Sequence, residues 1–435
     1  MFEPLYTAEE MRSAEEGHDV EELMARAGRA VAEEILSRFS TARSFAAVCG
    51  GGANGGDGRI ATELLRSSGW EERALGDADV VIDALFGTGF RGAPREGAAQ
   101  QIEAINGSGA PVVAVDIPSG VDASTGEVPG AAVRATATVT FHGRKVGHEV
   151  APGRFQRGEV VVADIGLEHF ETRHALATPA ILDLVPRRRP GDTKYTAGSV
   201  LVVGGSPGMT GAACLTAEAA FRADAGYVVV AAPQESLPVI EARLLEAVKR
   251  PLDEVWTAVE RARALALGPG LGRDEGELVR RLLAETELPA VVDADALFEL
   301  DPAVRSAGTV LTPHSGELGR LLDGEASWVD AHRLQALERA VERFDCVVLL
   351  KGEGTLVGAP GSGAVVCGGF PTLATAGTGD VLTGVVGSFL AKGMDARLAA
   401  IAASVAHTQA AANAPHKSGL VASDLLPMLP RVLDA

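Results

Sequence analysis

Aromatic residues make up only 4% of this 435-residue chain, and cysteine occurs 4 times. Cys49, Cys214, Cys346 and Cys367 lie far apart in apolar surroundings, without the close pairing of a zinc site or the density of a disulfide scaffold. They are expected to be reduced core residues of a cytosolic protein. Positive charge is also scarce: the net charge is −19 with no acidic tail to account for it, which argues against nucleic acid as the main partner. No apolar run is long enough to span a bilayer. The N-terminus, Met1-Phe-Glu-Pro-Leu-Tyr-Thr-Ala-Glu-Glu10, lacks the basic-then-apolar order of a signal peptide. A soluble cytoplasmic chain with no membrane partner is the expectation.

What is abundant is the material of a packed α/β protein: 46% hydrophobic residues, with 52 glycines for its turns. At this length two cores are expected. Ala8–Phe39 reads as one helix with Leu23, Met24, Ala27, Ala30, Val31 and Ile35 on its apolar face. Short Val/Ile/Ala strands then alternate with helical stretches at Ser44–Cys49, Val80–Leu85, Val112–Asp116, Thr136–Phe141 and Val160–Ile165, the rhythm of a parallel sheet covered by helices. The proline-bounded basic stretch Pro186-Arg-Arg-Arg-Pro190 reads as a solvated linker. It sets a boundary near Thr178, with domains of residues 1–175 and 176–435. A second series runs through Ser199–Gly204, Val228–Ala232, Ala264–Leu267, Ala290–Asp293, Thr309–Leu311 and Cys346–Leu350, without a visible repeat of the first.

The most informative segment is Thr375-Ala-Gly-Thr-Gly-Asp380-Val-Leu-Thr-Gly384. Gly377 and Gly379 offer no side chain to block an anion, and the apolar run that follows puts a helix N-terminus beneath them. A carboxylate there is unfavourable beside bare phosphate, so Asp380 reads either as a base for a substrate hydroxyl or as a simple helix cap. Other marked loops follow strands where open α/β sheets bind ligands. They are Gly204-Gly-Ser206 leading to Gly211-Ala212, Gly268-Pro-Gly-Leu-Gly272, Asp293-Ala-Asp295, Thr312-Pro-His314-Ser-Gly-Glu317 and Lys351-Gly-Glu-Gly-Thr355.

This ordered set resembles the nucleotide-dependent NAD(P)H-hydrate dehydratases, whose fold is ribokinase-like, over roughly residues 179–435. In the first half, Cys49-Gly-Gly-Gly-Ala-Asn54-Gly-Gly-Asp57, Asp83-Ala-Leu-Phe-Gly87 and Asp116-Ile-Pro-Ser119 resemble the NAD(P)H-hydrate epimerase domain. The whole is similar to the bifunctional NAD(P)H-hydrate repair family. The resemblance implies an N-terminal Rossmann-like αβα domain and a C-terminal ribokinase-like αβα domain. It also implies epimerisation of the R and S hydrates of NADH and NADPH (NADHX and NADPHX), then dehydration of the S form driven by ADP, or by ATP in eukaryotes. Mg²⁺ and K⁺ are the implied ions, and a homo-oligomer the implied assembly.

Residue by residue, the resemblance assigns nucleotide contacts to Lys351, Gly352, Glu353, Gly354, Thr355, Thr378 and Gly379. Hydrate contacts fall on Ala212, Gly270, His314 and Asp380, and Mg²⁺ on Glu317 through water. For the first domain it assigns the hydrate to Ala53, Asn54, Gly55, Gly56, Asp57, Gly87, Thr88, Gly89, Phe90, Arg91, Gly92, Ala93 and Asp116. K⁺ falls on Asn54, Asp83 and Ser119, and acid/base work on Asp116 and Lys145. Bland alternatives stand beside these: strand-end or capping roles for Asp293 and Asp295, a core histidine at 314, a surface lysine at 145.

Three departures from the family pattern matter. Ala53 replaces the first of two asparagines, Met209 stands where relatives often carry an aromatic residue, and only a short stretch separates Leu65 from Val80, where relatives place a strand and a helix. A sheet short by one strand, or an edge covered by a partner chain, is expected. The competing reading is a ribokinase-like small-molecule kinase with a non-catalytic N-terminal module.

Overall fold

The computed structural model describes all residues except 302–304, 306 and 417. Two compact units emerge: Pro4–Ala175 with Asp330–Leu334, and Met1–Glu3 with Leu176–Val329 and Gln335–Ala435.

The first unit is built on a six-stranded parallel sheet in the order Glu71–Glu72, Ser44–Cys49, Val80–Ala84, Val112–Val115, Ala137–Phe141, Glu159–Ala163. Its three middle strands, Val80–Ala84, Val112–Val115 and Ala137–Phe141, are buried along their whole length, as expected when helices cover both faces. The sheet does not lose a strand between Leu65 and Val80. That segment still contributes one, cut to the two exposed residues Glu71 and Glu72 against Ser44 and Phe45. Two acidic side chains blunt this edge, since charges facing water discourage further strand pairing.

The single helix expected over Ala8–Phe39 is instead two, Ala8–Glu15 and Val20–Arg38. Gly17 adopts φ +84°, and Asp19 caps the second helix by accepting from the Glu21 and Glu22 N–H groups at 2.9 and 3.4 Å. The second helix lies against Ala53–Ser67 so closely that a Cβ on Gly28 would meet Ile60 at 2.6 Å. Glycine is what allows the two backbones to approach.

An eleven-stranded mixed sheet forms the second unit. Tyr227–Ala232, Ser199–Val203, Ala264–Leu267, Ala290–Val292, Thr309–Leu311 and Val347–Leu350 run parallel in that order, with Val248–Pro251 beyond the first. The hairpin of Leu356–Gly358 and Val365–Val366 is antiparallel to them. Thr378–Ala391 is the central helix, and its interior residues from Val381 to Ala391 are buried. Such all-round apolarity is the mark of a helix inside a core. At Gly384 a Cβ would stand 2.2 Å from the Thr216 carbonyl, so this helix packs backbone to backbone on Thr210–Arg222. Among the described residues no helix is long and apolar enough to cross a membrane. All four cysteines are free, and only Cys214 and Cys367 are fully buried; Cys49 and Cys346 are partly exposed.

Candidate active sites

In the second unit the parallel strands deliver their following loops to one edge of the sheet. Gly205 N–H donates to the Pro269 carbonyl at 3.0 Å and Ser206 N–H to the Gly270 carbonyl at 2.7 Å, which ties the first loop to the second. Gly268 has φ +112°, and a Cβ there would fall 1.9 Å from the Asp293 carbonyl oxygen. Only glycine fits. Gly270, at φ +61°, lies against Met209 and Ala212, so the two residues expected to line the hydrate pocket are neighbours. Asp295 accepts from the Gly272 N–H at 2.9 Å and clamps this loop from the far side.

Asp293 is 1% exposed and does not cap a helix. Its Oδ1 accepts from Lys351 Nζ at 2.6 Å and its Oδ2 from Thr383 Oγ1 at 2.7 Å. Lys351 Nζ also lies 3.8 Å from Glu317 Oε2, and a Cβ on Gly379 would be 3.4 Å from it, so the ammonium stands over the first turn of the central helix. Burial would lower this lysine, but Asp293, Glu317 and Asp380 outweigh it and hold it above its ordinary value.

Gly377, in the left-handed region at φ +88°, takes the N-cap position of that helix, which leaves the Asp380 side chain free of a capping role. Thr378 Oγ1 donates back into the loop, to the Leu373 and Thr375 carbonyls. The first-turn N–H groups have no intrahelical acceptor and carry the positive end of the helix dipole. Burial first, and Asp293 and Asp295 next, push the Asp380 carboxyl up to about 7 against the pull of Lys351. Such a group changes protonation near neutrality, as a general base must.

His314 is not a core residue. Its side chain is 56% exposed, and its Nδ1 accepts from the Gly316 and Glu317 N–H groups at 3.0 and 3.3 Å, capping the helix Ser315–Leu321. The ring hydrogen therefore sits on Nε2, which lies 3.4 Å from Glu317 Oε1. Among the described residues no group of three or more His, Cys, Asp or Glu side chains could hold a metal by itself. Glu317 alone fits an ion that keeps its waters and takes the rest of its ligands from phosphates.

The first unit has its own polar cluster. The turn after Cys49 packs glycine on glycine, with a Gly55 Cβ position 2.0 Å from the Gly50 carbonyl, and the helix Ala53–Ser67 begins there. Asn54, Gly55, Gly56 and Asp57 thus form its first turn. Asn54 Nδ2 donates to the Phe86 carbonyl at 2.9 Å. Ser119 bridges to Asp83, with its N–H to Oδ2 at 2.8 Å and its Oγ to Oδ1 at 2.6 Å, while the Phe86 N–H donates to Ser119 Oγ. Burial pushes the Asp83 carboxyl up to about 6 despite those hydrogen bonds. The Phe86 backbone joins Asn54 to Ser119, and Ser119 joins Asp83; hard oxygens of this kind suit a monovalent cation. Gly87–Ala93 forms a partly to fully exposed loop beside them.

Asp116 has φ +65°, a rare conformation for a residue with a Cβ. Lys145 fixes it: Nζ lies 2.6 Å from Asp116 Oδ1 and donates to Thr140 Oγ1 and the Phe141 carbonyl, each at 2.8 Å. The lysine is neither a surface residue nor free to reach a substrate, because it is fully buried with three acceptors for three hydrogens. Burial would raise Asp116, but Lys145 overcomes it and holds the carboxyl below its ordinary range. His148 accepts from the Lys145 N–H and donates to the Asp116 carbonyl, and burial and Lys145 keep it neutral, down to about 3.

Comparison with known proteins identifies the family. A family described as NAD(P)H-hydrate dehydratase matches residues 200–431, and one described as YjeF-related protein N-terminus matches 20–76 and 68–147. A bifunctional NAD(P)H-hydrate repair enzyme from Moorella thermoacetica is 36% identical, over 94% of this chain and 92% of that protein. The chain belongs to the bifunctional NAD(P)H-hydrate repair family.

Among solved structures, an ADP/ATP-dependent NAD(P)H-hydrate dehydratase from Bacillus subtilis, co-crystallised with ATP and Mg²⁺, is similar to 60% of this chain and 97% of its own, with TM-score 0.55 and 29% identity. A ribokinase-like superfamily protein from Enterococcus faecalis, at 22% identity and TM-score 0.54 over 61% of this chain and 98% of its own, shares the fold. Within the repair-enzyme frame, the structure brings Lys351, Gly379, Asp380 and Glu317 together, and Ala212 with Gly270. Sequence reasoning missed Thr383, Glu15 and His407. Thr383 is three residues beyond Asp380 on the same helix, so its spacing was a usable signal. His407 is buried in the alanine-rich helix Ala396–Ala412 with its Nε2 unpartnered, and burial lowers it to about 4 against a hydrogen bond with the Thr378 backbone. Nothing local marked it out.

Proposed function

We propose that the second unit dehydrates the S hydrate of NADH or NADPH at the expense of ADP, giving AMP and phosphate, and that the first unit interconverts the R and S hydrates. One observation carries the first half. Asp380 is a half-buried carboxyl poised near neutrality at a helix N-terminus, with a lysine beside it already neutralised by a different carboxylate.

Asp380 takes the proton of the hydroxyl next to the ring nitrogen, and the oxygen attacks the terminal phosphoryl group. Lys351 and the N–H groups from Ala376 to Gly379 face the charge that develops on the transferring oxygens. Glu317 would hold, through water, a magnesium ion carried in with the nucleotide, and the ion would offset the negative charge of the phosphates. Phosphate then departs, driven by the ring nitrogen lone pair, and loss of a ring proton restores the double bond. Ala212, Gly270 and His314 line the hydrate side, and Gly352, Glu353, Gly354, Thr355 and Thr378 the nucleotide side.

In the first unit the hydrate would lie over Ala53–Asp57, Gly87–Ala93 and Asp116, with K⁺ on Asn54, Asp83 and Ser119. A cytoplasmic homo-oligomer completes the reading, checked for assembly by light scattering. Pure R hydrate supplied with ADP and Mg²⁺ tests both units at once. Recovery of the reduced nucleotide faster than spontaneous epimerisation supports the proposal. Dehydration of S hydrate alone would leave the first unit without its reaction, and a stable phosphorylated product would make the second a kinase.

A further inference from the structure

The reading of the first unit as an epimerase leaves its proton donor unassigned, because Lys145 is fully engaged and Asp116 is held as an anion. Asp57 is the remaining candidate. It sits in the first turn of Ala53–Ser67, is 7% exposed, and its Oδ1 is buried without a hydrogen-bond partner. A buried carboxylate oxygen with no donor is costly unless the group carries its own proton. The charged groups that face it are Asp116, from the end of the strand Val112–Val115, and Glu15, from the end of the helix Ala8–Glu15. Both are acidic, and the Lys145 ammonium is bound to Asp116 Oδ1. Burial, followed by Asp116 and Glu15, pushes Asp57 up to about 8. Glu15 is raised too, by burial first and Asp116 second, but it faces solvent and can fill its hydrogen bonds from water.

Two neighbouring carboxyl groups are thereby driven apart in protonation, one to the acid and one to the anion, which is how an acid and a charge stabiliser are made from the same side chain. We propose that Asp57 is the general acid of the epimerase site, giving its proton to the hydroxyl of the hydrate while ionised Asp116 faces the cation left on the ring. The carbon–oxygen bond breaks with its electron pair going to the departing water, and the ring nitrogen lone pair forms a carbon–nitrogen double bond. Water then adds from the opposite face and returns one proton to the Asp57 carboxylate, so the inverted hydrate and the neutral acid are both restored. Asp116 changes no bond. Its Lys145 anchor is a positioning residue, which keeps the anion in its strained backbone site.

The test uses the full chain in H₂¹⁸O, without nucleotide, with spontaneous exchange subtracted. Each enzymatic inversion of R hydrate is expected to bring one solvent oxygen into the product. The rate should fall as pH rises through about 8, where Asp57 would lose its proton. In Asp57→Asn the rate should drop roughly 100-fold or more and the alkaline limb should vanish, with Asp57→Glu recovering part of both. Inversion with the original oxygen retained would mean that the ring opens instead, and would overturn the proposal even if the Asn variant failed to fold. An Asn variant with the parental rate and limb would overturn it too. If the parent chain itself does not accelerate inversion of R hydrate, the epimerase reading falls, and this proposal with it.

Discussion

Lys351 Nζ stands 2.6 Å from Asp293 Oδ1, and that pairing decides which carboxylate of the dehydratase site is a fixed charge and which is a base. Asp293 is neutralised, and Asp380 is left to titrate near 7 partly because Asp293 is close. Asp293→Asn removes one of the charges that raise Asp380 and frees the ammonium that lowers it. Both changes act in the same direction. The rising limb of kcat/KM against pH should move to lower pH by roughly 1 unit, read with S hydrate as the varied substrate. An unmoved limb would show that Asp380 does not titrate in the reaction.

Asp380→Asn should keep nucleotide binding but lose hydrate-dependent AMP formation by roughly 100-fold or more, because the hydroxyl loses its base. Stability should change the other way. The folded chain holds the Asp380 proton more tightly than the unfolded chain, so the parent loses stability as pH climbs from the ordinary carboxylate range to about 7. The variant has no such loss and should be more stable above pH 7, by about 1–2 kcal/mol in thermal or urea unfolding. Below pH 4 the two should converge. Full turnover by the variant would remove Asp380 as the base.

The architecture was legible because short Val/Ile/Ala runs between glycine-rich turns can hardly be anything other than strands of a covered parallel sheet. Lys351 and Asp380 were legible for a related reason: each follows a pattern whose backbone geometry only small residues permit. Contacts that close over long separations were not. Asp293 meets Lys351 across 58 residues and Thr383 across 90, and nothing local marks Asp293 as the neutralising partner rather than a cap. Lys145 stood as an acid/base residue, with a surface lysine as the alternative, because three acceptors around a buried ammonium are a property of packing, not of neighbours in sequence. The break at Gly17 was misread since its apolar face continues on either side. Glu71–Glu72 escaped because two acidic residues carry no strand signal.

Potassium is expected to stabilise the first unit. Asp83 is a fully buried carboxyl whose hydrogen bonds come from neutral Ser119 groups and the Leu85 N–H, so a cation held with Asn54 would offset an otherwise uncompensated charge. Replacing choline chloride with potassium chloride at equal ionic strength should raise the melting temperature, by an amount set by how far the concentration exceeds the dissociation constant. Asp83→Asn should abolish the difference. Identical melts of the parent chain in the two salts would rule the site out.

Lys145→Met leaves the Asp116 carboxyl buried, at a left-handed backbone position, without its cation. Breaking one side of a buried pair in this way costs about 3–5 kcal/mol, more than the lost attraction alone, because the remaining charge keeps only the hydrogen bond that the Thr140 hydroxyl donates. The sign with pH follows from the direction of the shift. In the parent, Asp116 is held below its ordinary value and adds stability above about pH 4, which is lost as pH falls through its folded value. In the variant, burial outweighs the remaining pull of His148 and Thr140 and raises Asp116, so stability is lost as pH rises instead. The difference between the two chains should be largest at pH 7 and close towards pH 3. Hydrogen exchange of the Val112–Val115 amides reads the local unit without requiring the whole chain to unfold in one step. Equal protection at pH 7 would mean that Asp116 does not depend on Lys145 for its charge, and would take the anchoring role away from the lysine.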